Sequence, residues 1–285
     1  MTVYTAINVY TILSAIPYSL TMWSGIGDKK YIGLDNYITL FTDQRMSKTF
    51  INALKNNVYL ILIGILIIAP LIILIAYLIY RKIPGFNVLK TLIFTPHLVN
   101  FITMGFMVTL FMDPNIGMLS KLVHLLGIDW SPSSIIGGPF YGAPYISVVN
   151  AWKGMGYSMM IVVANFAMIP LELEEASAID GAGEWQTFFH VHLPLLKPAL
   201  TNIIIIHYIW GISVFEIPFV LGGLNGGIGG KLDVVGLFFY RIAFGSENLN
   251  NAMGMGTTIA TIMFFLILVG AVAQLWILNK KEIDE

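Results

Sequence analysis

LELEEASAIDGAGEWQTFFHVHLPLLKP, residues Leu171–Pro198, is a long polar interruption between two strongly apolar segments in the C-terminal half of the chain. It predicts two short helices folded against each other. Pro170 suits a first helical turn, where its missing N–H costs nothing. Glu172, Glu174 and Glu175 then crowd the positive end of the helix dipole. The helix passes through Ala176 and Ala178 and ends at Gly181, where the absence of a Cβ permits a left-handed turn. A second helix carries Trp185, Phe188, Phe189 and Val191, and Leu193-Pro194 is expected to close it before the next apolar run.

The flanking composition says where such a hairpin sits. Of 285 residues, 57% are hydrophobic and only 11% charged, against about 25% charged in soluble domains. Several apolar runs are about twenty residues long, enough to cross a bilayer as helices. They are continuous rather than alternating, which excludes barrel strands. The expected fold class is therefore an all-α membrane protein with about six transmembrane helices. A net charge of −1 gives no reason to expect nucleic acid, and the absence of cysteine excludes disulfides, thiolate metal sites and cysteine nucleophiles. The N-terminal run has neither a basic head nor a small-residue cleavage site, so no cleavable signal peptide is expected.

Six spans follow from the runs: Val3–Trp23 with Pro17 near its outer end, Val58–Tyr80, Leu92–Met112, Ile146–Ile169, Ala199–Leu221 and Met253–Leu278. Between them lie the polar stretch Gly27–Asn56, the basic turn Arg81–Gly85 and the Gly/Pro-rich excursion Asp113–Pro144. That excursion holds a surface helix near Leu119–Leu126. A Gly-rich loop, Gly222–Asn251, carries an amphipathic piece around Phe238–Phe244.

Glu175-Ala176-Ser177, three residues, Gly181, nine residues and Val191-His192-Leu193-Pro194 resemble the EAA loop of membrane subunits in ABC-type importers. Ser177 replaces the second Ala of that pattern and Val191 its Ile. Gly33-Leu34-Asp35-Asn36-Tyr37, Asp113-Pro114 with Gly117, Ala151-Trp152-Lys153-Gly154 and Tyr240-Arg241-Ile242-Ala243-Phe244 are similar, in order and separation, to the carbohydrate-importer branch. Within it they resemble the first, maltose- and glycerol-phosphate-permease-like, subunit. The resemblance implies a type I importer permease fold. Residues 1–52 would form a first helix and outer segment, 53–278 a permease core whose coupling loop is 170–197, and 279–285 a cytoplasmic tail. It also implies a longer basic N-terminal segment in related proteins.

The resemblance further implies a multi-pass subunit of the cytoplasmic membrane that carries a carbohydrate, expected to be an oligosaccharide. Another solute such as glycerol phosphate is the alternative. Implied partners are a second, related permease, two ATP-binding subunits and an extracytoplasmic solute-binding protein, with membrane lipid around the spans. Glu174, Glu175, Ala176, Ser177, Asp180, Gly181, Leu193 and Pro194 would form the ATPase-coupling surface. Orientation rests on the same resemblance. With the loop inside, the inner segments carry Arg81, Lys82, Lys90, Lys197, Lys280 and Lys281. The outer ones carry more: Lys29, Lys30, Arg45, Lys48, Lys55, Lys121, Lys231 and Arg241, so the positive-inside rule does not select it.

The chain offers no nucleotide site, since around Gly229-Gly230-Lys231 Asn225 and Leu232 stand where a phosphate loop needs Gly and Ser or Thr. No cofactor, metal site or catalytic residue is expected. His190 and His192 lie two apart and face different ways on a helix, which reads as interfacial polarity. Neither midplane coupling charges nor paired broken helices argue for an ion-coupled secondary transporter, and no acid, His or metal cluster argues for an enzyme. Polar groups inside spans face a cavity or another helix. Asn150, Gly154 and Tyr157 share one face of the fourth span, and Trp210 and Ser213 share one of the fifth. Their positions resemble the branch's sugar contacts, with helix–helix packing as the competing reading. Lys153 and Glu216, the remaining charges, are expected near the outer ends of their spans, snorkelling to the interface.

Overall fold

A computed structural model gives the structure of residues 7, 9–113, 116–127, 141–245 and 250–283. In hydrocarbon every backbone N–H and C=O must find a partner within the protein, and continuous helices achieve this locally. The described chain is accordingly helical. Its helices are α1 (Tyr10–Ser19), α2 (Asp35–Thr42), α3 (Gln44–Tyr80), α4 (Phe86–Phe94), α5 (Phe101–Phe111), α6 (Met118–Leu125), α7 (Ala143–Phe166), α8 (Leu171–Ile179), α9 (Glu184–Leu195), α10 (Lys197–Ser213), α11 (Glu216–Gly222), α12 (Val235–Phe244) and α13 (Ala252–Ile283). Among the described residues, two helices are long and apolar enough to cross a membrane unaided, Gln44–Tyr80 and Ala252–Trp276. Three more spans are bent pairs: α4 with its 3₁₀ extension to Leu98 and then α5, at 110°, α7–α8 at 70°, and α9–α10 at 70°.

Several expected spans are corrected. The first span falls partly outside the described residues, and α1 does not reach Trp23. It stops at Ser19 behind Pro17, and Thr21–Met22 pairs antiparallel with Lys30–Tyr31. The second span begins at Gln44, well before Val58. The Asp43 carboxylate caps it, accepting from the N–H groups of Arg45 (3.1 Å) and Met46 (2.8 Å). One helix then runs to Tyr80 through a π-helical turn at Gly64–Ile68. There His207 of α10 packs so close that a Cβ on Gly64 would lie 2.9 Å from its ring.

The third span is not straight. Pro96 cannot donate to the helix behind it, and the chain passes through a 3₁₀ turn, Thr95–Leu98, into α5, whose first turn is capped by Asn100. The His97 carbonyl freed at this break accepts from Lys153 Nζ at 2.9 Å, and the ammonium lies 4.4 Å from the Phe101 ring centroid. Lys153 is 4% exposed, so it does not snorkel to the interface; it is spent inside the protein on a broken helix. The α9–α10 span ends at Ser213, the chain leaves the helix at Val214-Phe215, and Glu216 opens α11 just beyond it. The hairpin's second helix ends at Leu195, one residue past Leu193-Pro194, before the chain bends into α10.

Buried amides repair the remaining breaks. Asn57 donates to the carbonyls of Gly211 (2.6 Å) and Ile212 (3.1 Å) and accepts from the N–H of Val235 (2.9 Å). It thereby joins α3, α10 and α12. Asn36 donates to Ser19 and Thr21 carbonyls and accepts from Asn251, which itself accepts from the Trp23 N–H, so α1 is tied to the start of α13. Three apolar clusters surround these nodes. One centres on Ile72, Tyr77, Met159, Phe166 and Ile203, a second on Leu60, Met104, Ile146 and Ile217, and a third on Phe50, Phe238 and Ile259.

Asn57→Leu keeps the side chain's size but strands two carbonyls and one N–H. Each buried unsatisfied group costs about 1–3 kcal/mol, so the detergent-solubilised protein should melt well below wild type. Asn52→Ala, which removes one half-buried bond to Gly230, should shift the midpoint much less.

Candidate functional site: the hairpin between the fourth and fifth spans

The hairpin α8–α9 has the two-helix form expected of it. Pro170 is extended (φ −60°, ψ 133°) and α8 starts immediately after it, with Glu172 and Glu174 in its first turn. Gly181 takes φ +77°. Its N–H bonds the Ala178 carbonyl and that of Ala182 the Ser177 carbonyl, the paired closure of a helix ending in a left-handed residue. Across the hairpin, Ser177 Oγ lies 3.0 Å from Thr187 Oγ1, and Gln186 accepts from the Gly183 N–H at 2.8 Å. Ser177, where this chain departs from the usual Ala, is therefore the hydroxyl that fastens one helix to the other.

Only Glu174 and Ser177 of α8 turn inward; the other residues of the helix are exposed, Ile179 to 86%. Tyr80 Oη at the end of α3 donates to Glu174 Oε1 at 2.5 Å, and His192 Nε2 reaches the same oxygen at 3.0 Å. Arg81 lies 3.7 Å from Glu174 Oε2 and also hydrogen-bonds Glu184. Burial pushes the Glu174 carboxyl up, but the Tyr80 and His192 hydrogen bonds and the charges of His192 and Arg81 outweigh it and hold the group below the ordinary carboxylate range. Since an ionised carboxylate only accepts, His192 presents Nε2–H to it. A cleft of about 270 Å³ between the hairpin and α3 is lined by Tyr77, Arg81, Glu174, Ser177 and His192, among others.

The other expected coupling residues divide by exposure. Glu175, Ala176, Asp180 and Gly181 are exposed, as is Pro194, whereas Leu193 packs half-buried against the cluster around Ile72 and Phe166. His190 points outward and bonds back to the Gln186 carbonyl, while His192 is 1% exposed. His192 is thus no interfacial polar residue. It sits between Tyr77, Tyr80 and Phe166, with ring centroids 5.7, 5.9 and 5.8 Å away. Tyr80, Arg81 and His192 were not legible as a set, because residues so distant in sequence meet only through the packing of α3 on the hairpin. The one available signal was a histidine inside the apolar run Val191–Leu196.

On α7, Asn150, Gly154 and Tyr157 do lie along one face. Asn150 is buried and Tyr157 is 47% exposed, stacked on His97 at 5.2 Å and 16°. A Cβ on Gly154 would meet only Asn150 Oδ1, at 3.8 Å, an ordinary contact. Gly156, which sequence reading passed over, is the packing glycine: a Cβ there would lie 2.5 Å from the Ile93 carbonyl oxygen and 2.6 Å from Phe94 Cα. On α10, Trp210 packs half-buried against the cluster around Leu60 and Ile217. Ser213 is exposed and spends its hydroxyl on the Ile209 carbonyl at 2.8 Å.

Bent spans around a short, exposed helical hairpin define the class: a transport permease subunit with the type I importer fold. Residues 68–282 match the family of binding-protein-dependent transport system inner membrane components, and the chain belongs to that family of multi-pass membrane proteins. It is 32% identical, over 94% of its length and 87% of the relative's, to a probable starch degradation products transport system permease of Thermoanaerobacterium thermosulfurigenes. It is 29% identical to an arabinooligosaccharides transport system permease of Halalkalibacterium halodurans, covering 87% of this chain and 75% of that one. At 25% identity stands an sn-glycerol-3-phosphate transport system permease of Escherichia coli, with 94% and 87% covered. The fold is shared with a bacterial ABC transporter that imports the acidic polysaccharide alginate, at TM-score 0.77 and 22% identity over 96% of this chain and 91% of that one.

At Gly181 a β-branched residue must take the left-handed backbone, at a cost of roughly 1–2 kcal/mol. Nothing lies within 4 Å of a Cβ there, so the penalty is conformational rather than steric. In Gly181→Val the chain should still insert, while hydrogen exchange of amides 177–184 accelerates. Gly181→Asn, which tolerates the left-handed region, should resemble wild type.

Proposed function

We propose that this chain is the permease subunit of an ATP-driven importer for an oligosaccharide, and that α8–α9 is the hairpin on which a partner ATPase acts. One observation carries the coupling assignment. A nine-residue helix keeps nearly all its side chains exposed, Leu171, Leu173 and Ile179 included, while being firmly anchored from behind through Glu174 and Ser177. Such a surface fits a partner protein and not lipid, because it carries Glu172, Glu175 and Asp180 among the apolar residues. Glu175, Ala176, Asp180 and Gly181 then form the contact. Glu174, Ser177, Leu193 and Pro194 hold the hairpin's shape.

The remaining partners follow from the same mechanism: a second, related permease, two ATP-binding subunits and a solute-binding protein on the opposite side of the membrane. The loop end then faces the cytoplasm and the ends of α1 and α13 near Trp23 and Asn251 face outward. Residues 53–278 form the transport core, to which 1–52 add the first helix and its outer segment. The names of the more similar relatives favour an oligosaccharide over glycerol phosphate.

For the sugar path, the face of α7 from Asn150 to Tyr157 is favoured over pure packing because Gly154 opens onto space whereas Gly156 fills the helix contact. Tyr157 offers a ring to stack on and Asn150 an amide. Trp210 and Ser213 of α10 complete this reading, Ser213 by its exposure and Trp210 by closing the wall behind it. Selection among sugars begins with the binding protein.

Two measurements test these assignments. In proteoliposomes holding the assembled complex, Gly154→Leu should abolish most uptake at normal complex yield, whereas Gly156→Leu should deplete the complex itself. Normal uptake by Gly154→Leu removes this face from the path. Cysteines placed at Asp28 and Glu184 should react with an impermeant thiol reagent from opposite sides of the membrane; labelling of both from outside overturns the orientation.

A further inference from the structure

α10 is joined to the hairpin covalently, through Leu196, so any displacement of α9 reaches it directly. α3 has no such connection. Its link to α8 is the Glu174 carboxylate, which accepts from Tyr80 Oη and from His192 Nε2 and faces Arg81. Only Glu174 and Ser177 of α8 turn inward, and Ser177 reaches Thr187 of α9. Mechanical contact between α8 and the second span therefore concentrates on one carboxylate. Its surroundings are rigid: Tyr80 is stacked on Phe166 of α7 at 5.1 Å and 15°, and Tyr77 packs on Phe188 of α9 at 4.8 Å. From Tyr80, α3 runs as one helix back through Asn57, which holds the break between α10 and α11 and the first turn of α12.

We propose that Glu174, with Tyr80, Arg81 and His192, is a transmission joint: it makes α3 move with the coupling helix, so that a push on α8 reaches both the second and fifth spans together. This rests on α8 being the helix that the ATPase engages. All four are positioning residues, since none of them meets nucleotide or sugar. The joint transmits because its strongest hydrogen bonds converge on one ionised oxygen, and charge-assisted bonds are short and directional. Without it, α8 would tilt against the end of α3, and α3 would follow only as far as the packing of Tyr77 on Phe188 carries it.

The test uses the complete complex in proteoliposomes, with imported sugar and hydrolysed ATP measured on the same preparation. Tyr80→Phe keeps the ring on Phe166 and deletes one hydroxyl; Glu174→Gln keeps the shape and removes the charge. Each should lower sugar imported per ATP by at least about three-fold while the complex purifies in normal yield. Because both act through one joint, the double variant should be no worse than the poorer single one. Wild-type ratios in both single variants overturn the proposal, and so do effects that simply add. A third variant, Ile179→Asp, reports on the docking reading separately, since that side chain lies on the exposed face away from the joint. It should shed the ATPase in a pull-down. Shedding combined with wild-type ratios in the joint variants sinks the joint alone; an ATPase retained by Ile179→Asp sinks the docking reading, and the joint's role with it.

Discussion

Backbone carbonyls and N–H groups that leave a helix inside a membrane must be met by the protein itself, and the structure depends on how this chain meets them. Its helical course is interrupted at Thr95–Asn100, between α4 and α5, and at Val214-Phe215, between α10 and α11. Each break is repaired by a polar side chain from a neighbouring helix, Lys153 at the first and Asn57 at the second. These are the polar groups an apolar protein would otherwise exclude. Their burial is tolerable because each is paired, and the pairing fixes which helices lie together.

The same economy operates at the hairpin. Short helices are marginal alone, and α8 has little apolar surface turned inward. Its stability comes from its ends and from two polar anchors: the left-handed closure at Gly181, Ser177 against Thr187, and Glu174 against Tyr80 and His192. An element held by a few directional bonds, and not by a broad apolar face, can present its outer surface to another protein without exposing a core.

Several short sequence patterns that carry the family resemblance turn out to be architectural. Asn36 and Tyr37 tie the segment that follows α1 back to the end of that helix, Tyr37 Oη lying 2.8 Å from Ser19 Oγ. Gly117 sits where a Cβ would fall 2.3 Å from the Asp113 carbonyl oxygen. Arg241 pairs with buried Asp233 at 2.7 Å and with the Leu224 carbonyl. Burial pushes the Asp233 carboxyl up against the opposing pull of Arg241, so this pair secures the loop before α12 at a desolvation cost.

By itself the sequence determined the class, the number and order of apolar runs, the hairpin and its glycine closure, because these depend on local propensity and on the length of chain needed to cross a bilayer. Gly181 could be read from position alone, since a left-handed helix end is a local event. Tertiary structure alone decided where spans bend, that Lys153 is buried, that Gly156 and not Gly154 is the contact glycine, and that His192 and Tyr80 meet at Glu174. Each of these is set by which helix lies alongside, and hydrophobic runs this uniform, such as Val58–Tyr80, carry no periodicity that names their neighbours.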